Sequence, residues 1–538
     1  MTEVEAAAGL VVRGADQVPG AEGARAELVA GGVSARLASK DPTLWGEPAE
    51  SEAKIRLGWV DTTRRSRDLL PVLEKLRRDV ADLNHVVLAG MGGSSLAPEV
   101  ITRTLGAPLT VLDTTDPHQV RAALAEKLEH TVVVVSSKSG STVETDSHRR
   151  AYWKAFEDAG VTDIGRHFVV VTDPGSPLEA TAREMGAHVI LADPEVGGRY
   201  SALTAFGLVP SALAGVAVAE LLDQADEFSR SLSRDTDNPS LALGAALGAA
   251  ATAGWDKFAL VDDGTGITGL GDWAEQLIAE STGKDNGGIL PVVLENPGAP
   301  GVSGPDVVTV TTGGALPPAA VPGGGVRPDI SVNGPLGAQF MCWEAATAIA
   351  GRLLAINPFD QPDVEVAKQN ARQLLVGDLS AAEPSAVDGV IELYGTSTST
   401  CDEALRELVA GLDPRGYLAV LAFLDRFGDA HAAEVRPPLA RVSGRPVTFG
   451  WGPRYLHSTG QFHKGGPAVG SFLQITGAVV DDLEVPGRPY TFGQLQAAQA
   501  AGDRQALMSR GRPVLRLHLR ERPTGVAQLL DVLRRWEA

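Results

Sequence analysis

A repeated alternation of short apolar runs with amphipathic segments most constrains the fold of this chain. The run HVVLAGMGGSS at 85–95 precedes a segment with helical spacing, and the same order recurs at 109–117, 131–142 and 167–177. Strands that alternate with helices pair in parallel, because each helix returns the chain to the end of the sheet at which the preceding strand began. We therefore predict a doubly wound parallel sheet, with ligands bound at the carboxyl ends of its strands.

A second, looser α/β pattern follows the first. Strand candidates at 255–266, 288–298 and 306–315 surround a predicted helix at 270–282. The predicted fold class is α/β, with two doubly wound, parallel-sheet subdomains and a mixed α/β C-terminal region that completes the second subdomain and the active site. The predicted boundaries are an N-terminal helical extension over 1–80, subdomains over 81–225 and 226–370, and the C-terminal region over 371–538.

Charge and cysteine content argue against several functional classes. The chain of 538 residues carries a formal net charge of -20, whereas binding to nucleic acid or anionic membranes draws on clustered Lys and Arg. Its cysteines, Cys342 and Cys401, are too few for a disulfide framework or a cysteine-ligated zinc site. The N-terminus lacks a basic segment before an apolar run, and no apolar run approaches the roughly eighteen residues that span a bilayer. We expect a cytoplasmic protein without nucleic-acid or membrane partners.

The loop GMGGSS at 90–95 follows a strand and opens a helix. Backbone N–H groups at Gly93 and Ser94, together with the helix N-terminus, can face an anion. The alternative is a strand-to-helix turn that needs glycine only for steric reasons. The loop is not a dinucleotide fingerprint, because Ser95 stands where the third glycine would be, and no Lys-Ser/Thr pair ends it as in a Walker loop.

A second polar loop, SSKSGST at 136–142, also follows a strand and precedes a helix. The hydroxyls of Ser137, Ser139, Ser141 and Thr142 and the ammonium of Lys138 suit a terminal phosphate monoester. The alternative is a polar turn with N-cap residues, which Ser and Thr commonly supply. Because two such loops follow strands of one predicted sheet, we favour phosphate binding.

These two loops resemble those of the sugar isomerase fold family. The later segments GGRYSALTAFGL (197–208), WAEQLIAESTGK (273–284) and NPFDQPDVEVAK (357–368) resemble glucose-6-phosphate isomerases in particular. The resemblance covers most of 85–370. It implies two sandwiched sugar isomerase subdomains, a sugar-phosphate substrate, no cofactor and no metal, and a homodimer whose active site is completed across the interface.

Isomerisation of an aldose to a ketose removes a proton alpha to a carbonyl and returns it to the neighbouring carbon, which one positioned carboxylate can do. The resemblance implies that Glu280 is this base and that Arg199 stabilises the enediolate. Gln276 lies four residues before Glu280 and can share its helix face. Without the resemblance, Glu280 would be a solvated helix-end glutamate and Arg199 a structural arginine.

Sugar phosphates are mainly closed rings in water, so a further acid-base group must open the ring, and histidine suits that task at neutral pH. In RYLHSTGQFHKGGP (454–467), His457 resembles the family's ring-opening histidine, with His463 as a competitor. The resemblance also places Lys368 and Gln361 near the ring oxygen and the phosphate. Lys368 would otherwise be a surface lysine.

The order of these motifs departs from the common family form, in which the histidine precedes the lysine and the lysine lies near the C-terminus. Here Lys368 comes first and His457 follows it. This order resembles the isomerase half of fused transaldolase–glucose-6-phosphate isomerases, although no transaldolase barrel of about 250 residues fits after Lys368. The roles of Lys368 and His457, and whether His457 acts in its own subunit or a partner's, stay open at this point.

The function predicted from the sequence is interconversion of glucose 6-phosphate and fructose 6-phosphate by ring opening and proton transfer through a cis-enediol. The alternatives are a non-catalytic sugar-phosphate sensor and an isomerase of another sugar phosphate, such as mannose 6-phosphate. A sensor could dispense with Glu280, Arg199 and His457, which are all present, and no basic DNA-binding segment accompanies them. We therefore favour the enzyme.

Overall fold

The computed structural model describes residues 4–322, 329–376 and 383–537. The described strands are β1 Val4–Ala7, β2 Leu10–Arg13, β3 His85–Gly90, β4 Thr110–Leu112, β5 Thr131–Ser136, β6 Phe168–Thr172, β7 His188–Leu191, β8 Lys257–Asp262, β9 Leu290–Leu294, β10 Val307–Gly313, β11 Ile330–Asn333, β12 Ala386–Asp388, β13 Ile391–Tyr394, β14 Tyr417–Phe423, β15 Val447–Trp451, β16 Gly470–Gly477 and β17 Val514–Leu519.

The described α-helices are α1 Ala21–Ala30, α2 Val33–Ala38, α3 Glu47–Arg56, α4 Thr62–Arg65, α5 Leu69–Asp79, α6 Leu96–Thr104, α7 Pro117–Leu124, α8 Val143–Asp158, α9 Pro177–Glu184, α10 Ala205–Leu213, α11 Val218–Ser229, α12 Pro239–Thr252, α13 Leu270–Thr282, α14 Leu336–Leu353, α15 Val364–Val376, α16 Cys401–Ala410, α17 Arg436–Ser443, α18 Gly460–Gly465, α19 Phe492–Met508 and α20 Arg522–Glu537. Among the helices described, none is both long and apolar enough to cross a membrane.

The first sheet is five-stranded, with the order β4-β3-β5-β6-β7 and parallel pairing throughout. Its central strands are buried on both faces, as parallel strands covered by helices on both sides must be. The sequence prediction of a parallel, doubly wound sheet is confirmed. Strand β7 was not predicted, because its sequence HVIL is short and only partly buried and therefore carries a weak apolar signal.

The second sheet is six-stranded, with the order β1-β2-β11-β10-β8-β9. Strands β8 to β11 pair in parallel, while β1 and β2 join as an antiparallel edge from the N-terminal region. The sequence predicted only helices over 1–80. The segments VEAA and LVVR are too short for a periodic signal, so their strand structure depends on tertiary pairing with β11.

The C-terminal region has a six-stranded sheet of its own, with the order β12-β13-β17-β16-β14-β15. Strands β14 to β17 are parallel and β12 and β13 form an antiparallel edge. This sheet has its own buried apolar cluster, which includes Leu418, Val420 and Leu473. The sequence analysis expected the region only to complete the second subdomain and did not foresee a third sheet; the predicted boundaries remain a proposal.

Candidate active site

A cavity of about 570 Å³, here called the central cavity, lies where the carboxyl ends of β3 and β5 face α13, α15 and the turn that follows β15. All the site residues predicted from the sequence line it, namely Gly93, Ser94, Ser137, Lys138, Ser139, Thr142, Arg199, Gln276, Glu280, Gln361, Lys368 and His457. The structure thus brings together residues that are dispersed over most of the chain. Their individual roles stay predictions.

The loop at 90–95 is shaped by close backbone contacts. Gly92 has a φ of +54°, and a Cβ atom there would lie 2.7 Å from the Gln276 amide nitrogen and 3.0 Å from the His457 carbonyl oxygen. A Cβ atom on Gly93 would lie 2.0 Å from the Gly198 carbonyl oxygen. Both positions therefore exclude a side chain, and the glycines let this loop pack directly against the segments that carry Gln276, His457 and Arg199.

The loop at 136–142 presents hydroxyl groups to the central cavity. Ser137 Oγ and Thr142 Oγ1 lie 3.0 Å apart, and the Gly140 N–H donates to Ser137 Oγ at 3.2 Å. Lys138 Nζ donates to Asp173 Oδ2 at 2.6 Å, so its ammonium already has a carboxylate partner. Burial lowers the pKa of Lys138 and raises the pKa of Asp173. Sequence reasoning missed Asp173, which follows the neighbouring strand β6.

Helix α13 places Gln276 and Glu280 on one face, as their spacing predicted. Gln276 Nε2 donates to Glu280 Oε2 at 3.0 Å, and Arg199 Nε lies 3.5 Å from the same oxygen. The Arg199 side chain is 4% exposed and the Glu280 side chain 14% exposed. A nearly buried guanidinium therefore adjoins a carboxylate that still reaches the cavity.

Arg199 is fixed from behind by the segment 357–361. Its guanidinium donates to the carbonyl oxygens of Phe359 and Asp360 at 3.2 to 3.3 Å and to the side-chain oxygen of Gln361. The Arg199 side chain is thus held by backbone carbonyls on one side and faces Glu280 on the other. A cation held this way needs no reorganisation when negative charge develops nearby.

Lys284 is a buried cation that the sequence analysis quoted within a motif but did not single out. Its Nζ donates to the carbonyl oxygens of Asn357 and Asp360 at 2.6 and 2.8 Å and lies 2.5 Å from Asp360 Oδ1. Burial, with the charge of Arg199, lowers the pKa of Lys284 to about 8. Lys284 and Arg199 thus hold the same short segment from two sides.

His457 is joined to a buried glutamate from the first sheet region. Its Nε2 lies 3.1 Å from Oε1 of Glu144, and Gln499 Nε2 donates to the same oxygen at 2.7 Å. Burial raises the pKa of Glu144, but the hydrogen bond and charge of His457 outweigh that effect and hold this pKa below its usual range. Glu144 belongs to the same chain, so the structure completes this His–carboxylate pair within one subunit.

His463 and Lys368, which were also singled out from the sequence, differ in their surroundings. His463 does not line the central cavity: it is 1% exposed, its Nδ1 lies 2.9 Å from the Tyr417 hydroxyl, and burial lowers its pKa well below the usual value. It is a core histidine. Lys368 lines the cavity with a side chain that is 42% exposed, and its Nζ donates to Glu365 Oε1 at 2.8 Å.

Taken together, the central cavity holds a carboxylate beside a fixed cation, a histidine beside a second carboxylate, and a loop of hydroxyl groups. The first pair can move a proton at a carbon next to a carbonyl while stabilising the resulting negative charge. The second pair can exchange a proton with an oxygen atom. The hydroxyl loop can bind a phosphate through neutral donors, because its one cation, Lys138, is already paired with Asp173.

Comparisons with known proteins identify similar sequences and folds. The phosphoglucose isomerase family matches residues 77–284. A probable glucose-6-phosphate isomerase from Haloarcula marismortui is 37% identical over 220 residues, which cover 39% of this chain and 50% of that protein. A probable glucose-6-phosphate isomerase from Natronomonas pharaonis is 31% identical over 353 residues, which cover 57% of this chain and 82% of that protein. The chain thus spans about half the length of the first relative and most of the second.

The crystal structure of a glucose-6-phosphate isomerase from Chlamydia trachomatis matches with a TM-score of 0.50 at 21% identity, over 62% of this chain and 75% of that one. This likeness concerns the fold. The parallel sheets of this chain, together with that match, define a protein of the sugar isomerase fold class. Within this class, the chain belongs to the glucose-6-phosphate isomerase family.

Proposed function

We propose that this protein interconverts glucose 6-phosphate and fructose 6-phosphate, a step that serves both glycolysis and gluconeogenesis. The observation that carries the proposal is the placement of Glu280 between Gln276 Nε2, at 3.0 Å, and the Arg199 guanidinium, at 3.5 Å, in the wall of the central cavity. A carboxylate that only stabilises the fold needs no opening to a cavity. A general base needs both the opening and the neighbouring cation.

In the proposed mechanism, Glu280 removes the proton from C2 of the open-chain aldose and returns it to C1. The electron pair of the C2–H bond moves into a C1–C2 double bond, and the carbonyl oxygen at C1 takes the negative charge. Arg199 faces that charge and stabilises the cis-enediolate. The proton of the C2 hydroxyl passes to the oxygen at C1, and protonation of C1 by Glu280 then gives the ketose, with its carbonyl at C2.

Ring opening precedes this transfer, and we assign it to His457. The C5 oxygen of the closed sugar must gain a proton while the anomeric hydroxyl loses one. The carboxylate of Glu144, 3.1 Å from His457 Nε2, orients the imidazole that donates this proton in the proposed mechanism. Lys368 and Gln361, at the mouth of the cavity, are proposed to bind near the ring oxygen and phosphate.

We assign the phosphate to the loop at 136–142, with Gly93 and Ser94 opposite it. Because Lys138 is already paired with Asp173, the hydroxyls of Ser137, Ser139 and Thr142 and the loop N–H groups are the main donors in this proposal. This refines the sequence expectation, in which the Lys138 ammonium met the phosphate directly.

The test is an assay of the purified protein with fructose 6-phosphate, coupled to a dehydrogenase that consumes glucose 6-phosphate. Steady turnover supports the proposal. Binding of fructose 6-phosphate without turnover would favour the sensor, and turnover of mannose 6-phosphate with none of glucose 6-phosphate would favour the other isomerase. Activity that survives prolonged chelation would argue against a metal in the mechanism.

We further propose a cytoplasmic homodimer, as the family resemblance implies. Since Glu144 and His457 meet within one chain, activity per subunit in this proposal does not require the dimer. Light scattering coupled to size-exclusion chromatography measures the oligomeric state, and activity assayed over a dilution series tests the second point. A specific activity that collapses on dilution below the dissociation constant would contradict it.

A further inference from the structure

We propose that Arg454 is a positioning residue for His457, which it holds over the central cavity through a buried bridge to the first sheet region. This inference rests on the proposed function, because it concerns the ring-opening step. Arg454 does not line the central cavity. It lies three residues before His457 in the short 3-10 turn Arg454–His457. Because a single turn of backbone joins the two residues, the contacts of the Arg454 side chain help to fix the position of His457.

The bridge joins the C-terminal region to two acidic residues of the first sheet region. Arg454 Nη1 lies 2.6 Å from Glu99 Oε2, on α6, and donates to Asp113 Oδ2, just after β4, at 2.6 Å. The three side chains are 11%, 13% and 2% exposed. Burial raises the pKa of Glu99, but the charges of Arg454 and Arg426 outweigh this and lower it to about 2. Arg454 therefore makes oriented ionic contacts with both Glu99 and Asp113 through side chains that are largely buried, although Glu99 and Arg454 also line a second cavity of about 700 Å³.

His457 depends on its backbone for its orientation. Among the described residues, its side chain is hydrogen-bonded to Glu144 alone, at 3.1 Å. The rest of its segment is held by contacts to other regions: the Ser458 hydroxyl donates to Glu275 Oε2 at 3.2 Å, and the Tyr455 hydroxyl donates to Asp503 Oδ2 at 2.6 Å. Of these anchors, the Arg454 bridge alone reaches the first sheet region, which is the region that also carries Glu144.

The geometry therefore fixes both members of the His457–Glu144 pair to the same body. Glu144 lies in the first turn of α8, and Asp113 follows β4 in the same five-stranded sheet. If the bridge is lost, the turn that carries His457 remains attached to the third sheet and α13, and it still meets the first sheet region where its backbone packs against Gly92 and its imidazole contacts Glu144. The imidazole should then lose its orientation while Glu280, on α13, keeps its own.

The experiment compares Arg454→Met with Arg445→Met. Arg445 precedes the strand β15 that Arg454 follows, and it makes an equally buried bridge, with Nη2 donating to Asp306 at 2.7 and 2.9 Å. Both bridges tie the C-terminal region to the rest of the chain, but only that of Arg454 adjoins His457. A general loss of stability would therefore appear in both variants, and a loss of histidine positioning would appear in one.

The readout is deuterium exchange at C1 of two ketose phosphates, followed by proton NMR in D2O. Fructose 6-phosphate must open its ring first, whereas 5-deoxyfructose 6-phosphate lacks the oxygen that closes the furanose ring and needs only the proton transfer. Arg454→Met should slow exchange of the closed-ring substrate about tenfold or more, within the range that small misplacements of catalytic groups produce, and change the open-chain substrate about twofold or less. Arg445→Met should affect both substrates alike.

Arg454→Lys keeps the charge and one of the two contacts, so it should recover part of the lost exchange rate. If Arg454→Met fails to fold, Asp113→Asn weakens the same bridge while Arg454 stays paired with Glu99. This variant should also slow exchange of the closed-ring substrate more than that of the open-chain substrate, but by a smaller factor. Equal slowing of the two substrates by Arg454→Met or by Asp113→Asn would overturn the positioning role. Absence of exchange in the unaltered protein with either substrate would instead contradict the proposed function.

Discussion

The region 77–284, which the family matches, and the C-terminal region 383–537 supply the same cavity in different ways. The first carries its functional groups on regular elements: the polar loops end the buried strands β3 and β5, and Glu280 lies in the last turn of α13. The second delivers His457 on a 3-10 turn after the edge strand β15, held by contacts with other regions. The half of the site proposed to transfer the proton is thus built locally, while the half proposed to open the ring depends on how two sheets meet.

The contrast between the two regions predicts the largest loss of turnover for a substitution of Glu280, the proposed base. Glu280→Gln keeps the size of the side chain and removes its proton-accepting ability, so turnover of fructose 6-phosphate should fall by about a hundredfold or more. Because ring opening does not use Glu280, the open-chain ketose should lose as much. The measurement is kcat for both substrates, with thermal unfolding as the check on folding.

A matched control lies on the same helix. Glu275 precedes Glu280 on α13 and faces a second cavity, of about 700 Å³, rather than the central one. Glu275→Gln should leave kcat within about threefold of the parent, as expected for a group that touches no reacting atom. Near-native turnover in Glu280→Gln, or an equal loss in both variants, would remove Glu280 from the mechanism.

The second-largest predicted loss of turnover concerns His457, in the C-terminal region. His457→Asn removes the proposed acid but keeps a polar side chain beside Glu144, so it should slow turnover of the closed-ring substrate by roughly 10²-fold and spare 5-deoxyfructose 6-phosphate. His463→Asn, in the core beside Tyr417, should lower the melting temperature more than it changes this ratio. Equal slowing of both substrates by His457→Asn would mean that His457 serves position or stability.

The same contrast explains how much the sequence could predict. The polar loops and the pair Gln276 and Glu280 follow from strand ends and helical spacing, and α13 begins and ends where the sequence pattern placed it. Strands β1, β2 and β7 were missed because each has only four residues and takes its structure from its neighbours.

The partners of the site residues were also beyond sequence reasoning. Glu144 lies 313 positions before His457, and Asp173 lies 35 positions after Lys138. The pair Lys138–Asp173 forms because β5 and β6 are adjacent in the first sheet, and the pair His457–Glu144 forms where the C-terminal region meets α8. Spacing along the chain encodes neither contact. Lys284 stood inside a quoted motif and Glu144 two residues after one, but only their burial and contacts distinguish them from surface residues.

The phosphate loop should change a different kinetic constant. Ser137→Ala combined with Thr142→Ala removes two hydroxyls, 3.0 Å apart, from the loop that faces the cavity. Contacts to a non-reacting phosphate contribute mainly uniform binding, so KM should rise about tenfold with little change in kcat. Thr181→Ala, on α9 outside the central cavity, is the control. An unchanged KM would make the loop a structural turn.

The smallest predicted effect concerns the contact that joins the two regions at α13, where the Ser458 hydroxyl donates to Glu275. Burial, with the charge of Asp272, raises the pKa of Glu275 to about 8. A carboxyl group with a raised folded-state pKa binds its proton more tightly when folded, so its contribution to stability is full below its ordinary pKa and is lost as the pH rises through about 8. Glu275→Gln cannot ionise and should escape that loss.

The melting temperature of Glu275→Gln minus that of the parent should therefore increase between pH 6 and pH 9, by about one degree or a few for a chain of this size. Lys284, whose pKa of about 8 lies in the same window, titrates in both proteins and cancels in the difference. Ser458→Ala, which loses the donor but keeps the titrating carboxyl, should retain the parent's pH dependence. A difference between Glu275→Gln and the parent that stays constant with pH would mean that Glu275 is already ionised at neutral pH, and that the two regions meet there through a charged group.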